Sequence, residues 1–388
     1  MFNIKPVSVS SGVCTVLLSG RIDTVSAPEF GRRIDEIHHE YPDLPLKLDF
    51  SETEILTSCG IRELLRFLKA GYNFFLENVN SDVYFSLKLT GMTMLLDVRR
   101  TIPPLSVEGC ELIGAGANAE VYKLSDDSIV KVFTRALPLD DIIEERMLAK
   151  TAFAAGIPTA ISFGLTEVNG KPGLVFELID AKSIAKLIGE DRRNIDRYVG
   201  LYAELLRDIH AVDCQSWKRH SLIREAERFS AKVGLLADFL RPDCAEKLQA
   251  IALSLAKKHS MLHMDMQPNN VMVTGSELCL IDMDSVSQGA PEFELAQIKR
   301  ALILYWSLDD QTRFLGFDRA ASEELWNRLL RLYYGTEDES FLAEKEKLFT
   351  AIGYCNILAK EYKKNGASDR AYKLKVLLED ACDKISLP

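Results

Sequence analysis

His263-Met264-Asp265-Met266-Gln267-Pro268-Asn269-Asn270 is followed, a short way downstream, by Leu280-Ile281-Asp282-Met283-Asp284. Between them lie Val271-Met272-Val273 and Cys279-Leu280-Ile281, two apolar runs around Thr274-Gly275-Ser276. Short apolar runs flanking a glycine turn predict a hairpin. Oxygen-bearing side chains stand at its edges. Asp265 and Asn270 are five residues apart, and Asp282 comes twelve residues after Asn270. Chemically these are one candidate base and two candidate Mg²⁺ ligands, because Mg²⁺ takes few protein oxygens and shares the rest with phosphate. Taken singly, each aspartate would serve equally well as a turn residue. The combination and its order are what point to phosphate chemistry.

The rest of the chain sets the frame. Its 388 residues suggest two or three domains with ample length for a large core. Hydrophobic residues make up 47% and charged residues 27%, an ordinary globular composition rather than a disordered one. A net charge of −10 argues against nucleic acid or an anionic membrane as the chain's partner. Eight cysteines occur singly with no C-x-x-C pair, so neither a zinc framework nor a disulfide scaffold is expected. Met1-Phe2-Asn3-Ile4-Lys5-Pro6 lacks the basic start and apolar run of a signal peptide. No long uninterrupted apolar run is present, so no spanning helix is expected, and the unpaired cysteines fit a cytoplasmic, reducing setting.

Upstream of the opening stretch, Ile113-Gly114-Ala115-Gly116-Ala117-Asn118-Ala119-Glu120-Val121 reads as strand, small-residue turn and strand. Gly114 and Gly116 let backbone amides approach phosphate oxygens. A strand after the glycines argues against a dinucleotide fold, which needs a helix there. A plain glycine-rich hairpin is the alternative. Ser128-Ile129-Val130-Lys131-Val132-Phe133 then sets a lysine on a half-buried strand, where it needs an anionic partner such as an ATP phosphate. Leu139 to Ala155 is helical by periodicity, with Ile142, Leu148 and Ala149 inward and Glu144 and Glu145 as acidic candidates to pair with Lys131. Gly173 to Ile179 reads as an apolar strand, and residues from Ile184 to about Lys258 as mostly helical. His210 closes one of those helices and is expected to be structural, since no nearby carboxylate or cysteine spacing makes it a site.

The first hundred residues alternate strand and helix, which predicts an α/β sandwich. Val13 to Leu18, Leu46 to Phe50 and Phe74 to Leu76 are the expected strands. Helices are expected from about Ser26, from Ser58 and from Ser81 to about Lys88. Arg99 to Leu105 breaks the periodicity with Pro103 and Pro104, whose missing donors predict a stiff linker.

Two resemblances follow from these residues. Ser19-Gly20-Arg21-Ile22-Asp23, Leu48-Asp49-Phe50-Ser51, Leu56-Thr57-Ser58-Cys59-Gly60-Ile61 and Leu89-Thr90-Gly91-Met92 resemble the STAS domain of anti-sigma-factor antagonists. That resemblance covers residues 1–102 and implies a protein partner and a phosphoacceptor at Ser58. A simple helix N-cap is the other role for this serine. Leu262-His263-x-Asp265-x-x-Pro268-x-Asn270, Ile281-Asp282-x-Asp284 and Gly289-x-Pro291-x-Phe293-Glu294-Leu295-Ala296 resemble the aminoglycoside phosphotransferase and choline kinase family. Met264 stands where that family usually has glycine, and Glu294 where aspartate is common. The absence of Asp-Phe-Gly and Ala-Pro-Glu after Asp282 separates the chain from typical protein kinases.

The two resemblances together imply an α/β STAS sandwich followed by a two-lobed α+β protein-kinase-like domain. After a linker at 103–108, the ATP-binding lobe would span 109–180 and the catalytic, acceptor-binding lobe 181–388. The resemblance implies Asp265 as the base with His263 supporting its loop, and Asn270 and Asp282 on Mg²⁺. It implies Lys131 on the α and β phosphates, paired with Glu145, and a hinge backbone near Glu177 and Ile179 on adenine. The expected activity is ATP- and Mg²⁺-dependent phosphoryl transfer to a small-molecule hydroxyl, with the STAS module regulating it. The alternative is a signalling protein whose STAS domain binds a partner and whose kinase-like domain phosphorylates protein serine or senses nucleotide without turnover.

Overall fold

The computed structural model describes residues 2–5, 7–116, 118–216, 222–308 and 315–385. Ala117, quoted above in the glycine turn, lies outside them. Contacts divide the chain into two compact units. The first is Met1–Tyr122 with Val130–Ala136 and Gly164–Val175. The second is Lys123–Ile129, Leu137–Phe163 and Phe176–Pro388.

The first unit begins with β1 (Asn3–Ile4), β2 (Ser8–Ser10), β3 (Val13–Ile22), α1 (Ala27–Glu40), β4 (Leu46–Leu56), α2 (Ser58–Lys69), β5 (Phe74–Val79), α3 (Ser81–Leu89) and β6 (Val98–Arg100). Their sheet runs β1-β3-β4-β5-β6, with β2 also on β3. β3, β4, β5 and β6 pair in parallel, as strands joined through helices must. Every second residue of β3 is buried, from Cys14 to Ile22. Those side chains meet Phe30 and Ile34 of α1 and Leu64 and Phe67 of α2 in one core. Phe30 and Phe67 are fully buried and meet edge to face at 5.6 Å. Each such ring contributes roughly 2–3 kcal/mol of burial. Gly60 is required by space: a Cβ there would lie 2.5 Å from Leu56 Cδ1 and 2.6 Å from Ile22 Cγ2.

Two helix starts lack the serine cap that their residues offer. Ser26 occupies the N-cap of α1 but does not cap it. Its hydroxyl instead donates to the Arg21 carbonyl at 2.7 Å and accepts the Asp23 amide at 2.9 Å. The N-cap of α2 is Thr57, not Ser58. Ser58 is the first helical residue and is exposed. The proline segment is tied down through its acceptors. Proline lacks a donor but keeps its acceptor, and the Pro103 carbonyl takes the Glu167 amide at 2.9 Å and the Thr166 hydroxyl at 2.7 Å.

Next come β7 (Glu111–Ala115), β8 (Ala119–Lys123), β9 (Ser128–Phe133), α4 (Leu139–Ala154), β10 (Ser162–Val168) and β11 (Lys171–Glu177). The strands form a sheet in the order β10-β11-β9-β8-β7. β7 and β8 close on a tight turn in which the Gly116 amide donates to the Ala119 carbonyl at 2.9 Å.

The second unit continues with β12 (Lys182–Ser183), α5 (Ile184–Glu190), α6 (Asn194–Ala211), α7 (Glu225–Leu236), α8 (Pro242–Leu255), β13 (Ser260–Leu262), β14 (Val271–Thr274), β15 (Glu277–Leu280) and β16 (Ser287–Gly289). It ends in α9 (Pro291–Leu302), α10 (Arg319–Tyr334), α11 (Glu339–Asn365) and α12 (Asp369–Asp383). α11 packs on α9, α12 and α7, and α6 on α10, around a single large core. β14 and β15 form the expected hairpin, with Thr274 opposite Glu277 and a two-residue Gly275-Ser276 turn. Among the described residues no helix is long and apolar enough to cross a membrane.

Candidate active site

Two short ladders of the second unit carry the site. β13 pairs antiparallel with β16, Leu262 opposite Ser287, and delivers the chain into His263. The β14–β15 hairpin joins Asn270 to Ile281 across its open end, where the Ile281 amide donates to the Asn270 carbonyl at 3.1 Å. The two oxygen-bearing edges read from the sequence are therefore adjacent in space.

His263 ties them together from behind. It is fully buried. Its Nδ1 accepts the Asp265 amide at 3.3 Å, which leaves Nε2 as the protonated nitrogen. That Nε2 donates to the Ile281 carbonyl at 3.2 Å, one residue before Asp282. Asn270 holds the front. Its Nδ2 donates to both the carbonyl and the Oδ2 of Asp265, each at 2.9 Å. Both amide hydrogens are thus spent on Asp265, and Oδ1 is the acceptor end of the side chain. That oxygen and the Asp282 carboxylate are both hard donors, the kind Mg²⁺ takes. Among the described residues no group of three or more His, Cys, Asp or Glu is placed to hold a metal.

Asp265 is half-buried, and its carboxyl is raised above the usual aspartate range. Burial is the main cause and the Asp282 charge adds to it, while His263, the Asn270 bond and Arg300 offset part. A carboxylate made more basic in this way is a better proton acceptor.

The loop carries a backbone cost that the sequence does not reveal. Met264 has φ +63° and Asp282 φ +67°, both left-handed. Aspartate tolerates that region better than methionine does. For Met264 the cost is about 1–2 kcal/mol. Glu294, in the first turn of α9, offsets it. It is wholly buried, and its Oε1 accepts the Met264 amide at 2.6 Å and its Oε2 the His263 amide at 3.2 Å. Hydrogen bonds to a charged group contribute roughly 1.5–3 kcal/mol each, so two of them outweigh the strain. His210 Nε2 donates to the same Oε2 at 2.9 Å, and the Tyr333 hydroxyl sits 2.8 Å from His210 Nδ1. Burial raises the Glu294 carboxyl, but His210, His263 and the Met264 amide outweigh that and hold it below the usual glutamate range. The hydroxyl of buried Tyr202 donates to the Met266 carbonyl and fixes the next turn of the loop.

His210 is thus structural, as its sequence context suggests, but it has a carboxylate partner after all. Glu294 lies 84 residues away along the chain, beyond any spacing rule. The signal for Glu294 itself was a lone carboxylate in the apolar run Phe293-Glu294-Leu295-Ala296.

Other candidates stand as follows. Glu145 is buried on α4, which packs against the turn at Met283–Ser285, while Glu144 is half-buried. Lys131 lies on β9 with its Nζ 5.4 Å from the centre of the Phe133 ring. Glu177 ends β11 and its amide donates to the Ile161 carbonyl at 2.9 Å, while the Leu178 amide donates to Asp127. Gly114 and Gly116 have no positive φ. A Cβ at Gly114 would meet only Val121, at 3.6 Å, and one at Gly116 only the Ala119 carbonyl, at 3.7 Å. Among the described residues, neither glycine is demanded by close packing.

Residues 109–332 match the phosphotransferase enzyme family, and the chain belongs to that family. It is a phosphotransferase with a hydroxyl acceptor. In fold it resembles aminoglycoside phosphotransferase APH(4)-Ia in ternary complex with ADP and hygromycin B. The two are 12% identical with a TM-score of 0.50, over 71% of this chain and 96% of that one. A second similar structure is an aminoglycoside phosphotransferase with GDP and kanamycin. It is 13% identical, with a TM-score of 0.50 over 76% of this chain and 98% of that one. A choline/ethanolamine kinase family protein from Mesorhizobium loti is 13% identical, with a TM-score of 0.46 over 71% and 91% of the two chains. No curated protein matches the chain. The likeness to the two aminoglycoside phosphotransferases assigns their two-lobed kinase-like fold to the matched part.

Proposed function

We propose that the chain transfers the terminal phosphoryl group of ATP to a hydroxyl of a small molecule, under the control of a STAS-like module at residues 1–102. The observation that carries the catalytic part is the juxtaposition of Asp265, Asn270 and the Asp282 turn, locked by His263. In this reading 103–108 is the linker, 109–180 the nucleotide lobe and 181–388 the catalytic lobe.

The Asp265 carboxylate accepts the proton of the acceptor hydroxyl and orients its oxygen. His263 and Asn270 keep that carboxylate in place. Asn270 Oδ1 and the Asp282 carboxylate would hold Mg²⁺, which when bound neutralises charge on the phosphates. Gly114 and Gly116 leave room for the nucleotide phosphates, Lys131 with Glu145 supplies positive charge to the α and β positions, and the backbone of Glu177 and Ile179 binds adenine. Little covalent help is needed, because phosphoryl transfer is largely positioning and charge neutralisation.

Calorimetry with Mg·ATP tests this first, followed by an acceptor screen across aminoglycosides, choline-like alcohols and sugars with Asp265→Ala as control. Absence of nucleotide binding in well-folded protein would sink the proposal. A second reading, protein-serine phosphorylation within a signalling chain, is favoured by the exposed Ser58 at the start of α2. A helix N-terminus accommodates phosphate well. Mass spectrometry after incubation with Mg·ATP separates the two: phosphate on Ser58 that vanishes in Asp265→Ala supports the second.

A further inference from the structure

Three consecutive backbone amides, at His263, Met264 and Asp265, all donate to side chains. The first two go to the two oxygens of one carboxylate, Glu294. Successive amides turned inward by a left-handed residue make a concave nest for an anion. Here the anion is built into the protein. The left-handed residue is Met264, whose side chain is buried in the core rather than directed to solvent. A methionine at this φ would leave it if the amides were released, because its own preference lies on the other side of the map. Asp265 is the next residue, so any relaxation at Met264 moves the candidate base directly.

We propose that Glu294 and Met264 are a matched pair that sets the position of Asp265, with Glu294 as the positioning residue. The carboxylate is long enough to reach both amides, and it holds a turn that methionine alone would abandon. His210 and Tyr333 fix Glu294 from the opposite side, so the carboxylate has no slack with which to follow a displaced loop. Met264 contributes its buried side chain and Glu294 the restraint that makes that side chain compatible with the turn.

The kinetic test rests on the phosphotransferase reading. The full chain is made as wild type, Glu294→Asp, Met264→Gly and the double variant. Turnover of ATP, affinity for Mg·ATP and thermal midpoint are measured for all four. Shortening the carboxylate by one methylene pulls it from the loop by about an ångström, which costs roughly 100-fold in turnover. Nucleotide affinity stays within about two-fold, because Glu294 acts only on the base. In the double variant glycine adopts the left-handed turn without restraint, and turnover recovers about ten-fold over Glu294→Asp. Full turnover in Glu294→Asp, no recovery in the double variant, or a parallel loss of affinity each overturns the pair. If wild type turns over no ATP, the functional reading fails but the pair is still tested. The thermal midpoints of the four proteins then decide: a non-additive cycle supports the pair and an additive one overturns it.

Discussion

Met264→Ala and Met264→Gly should rank in the reverse of the usual order. Both variants remove a buried side chain that is only 6% exposed, a loss of roughly 2–5 kcal/mol. They differ in what remains. Alanine keeps a Cβ at φ +63° and so keeps the left-handed cost of about 1–2 kcal/mol. Glycine sheds that cost but brings its greater unfolded-state freedom, worth about 0.5–1 kcal/mol. The balance leaves Met264→Gly more stable than Met264→Ala by about 0.5–1 kcal/mol. In an ordinary helix or strand alanine would win by a similar amount. Urea unfolding followed by tryptophan fluorescence is the assay. The chain's three tryptophans all lie beyond residue 216, within the second unit that contains Met264. Equal stability, or alanine above glycine, would refute the claim that the left-handed turn is strained and held from outside.

Asp265→Asn should abolish turnover, by about 10²–10⁴-fold for a lost general base, yet raise the thermal midpoint. Its folded carboxyl is raised by burial, so the fold favours the neutral form and the ionised group detracts from stability at neutral pH; a lowered midpoint would contradict this. Glu294 has the opposite sign: its folded carboxyl is depressed, so its contribution is present above the unfolded range and is lost as pH falls through the folded value. His210→Gln weakens that depression and should move acid unfolding, followed by circular dichroism, to higher pH. Among the described residues beyond its chain neighbours, a Cβ at Gly116 meets nothing closer than 3.7 Å, so in Gly116→Ala the thermal midpoint should hold while Mg·ATP affinity falls about ten-fold in calorimetry. Gly60→Ala drives a Cβ against Leu56 and Ile22 and should destabilise the protein by about 1–3 kcal/mol, read as a lowered thermal midpoint.

What the sequence revealed depended on how local the cause was. α4 was legible to within a residue, because a helix writes its own period into the chain. The β14–β15 hairpin was legible from two apolar runs and a glycine, with the turn one residue tighter than expected. Caps were less legible. Ser26 and Ser58 both stand at helix starts, yet one hydroxyl turns back to Arg21 and the other residue lies inside the helix. A hydroxyl's choice among nearby acceptors is settled by a few tenths of an ångström that no pattern records. At the proline segment a rule about missing donors says nothing of acceptors, and Pro103 uses its carbonyl twice.

The same limit applies with more consequence at the catalytic loop. Met264 and Glu294 look in the sequence like two separate departures from the pattern of the resembling family. They are thirty residues apart and no spacing rule links them. In space one is the answer to the other. A side chain enters where glycine is usual, and it turns into the core; the carboxylate that faces its amide is longer by one methylene and still bonds both neighbours. The loop keeps its left-handed turn, and Asp265 keeps its bonds to His263 and Asn270. Three successive amides, a buried carboxylate, a histidine and a tyrosine are all engaged in holding it. Methionine at 264 is therefore compatible with the left-handed turn that places Asp265 between His263 and Asn270.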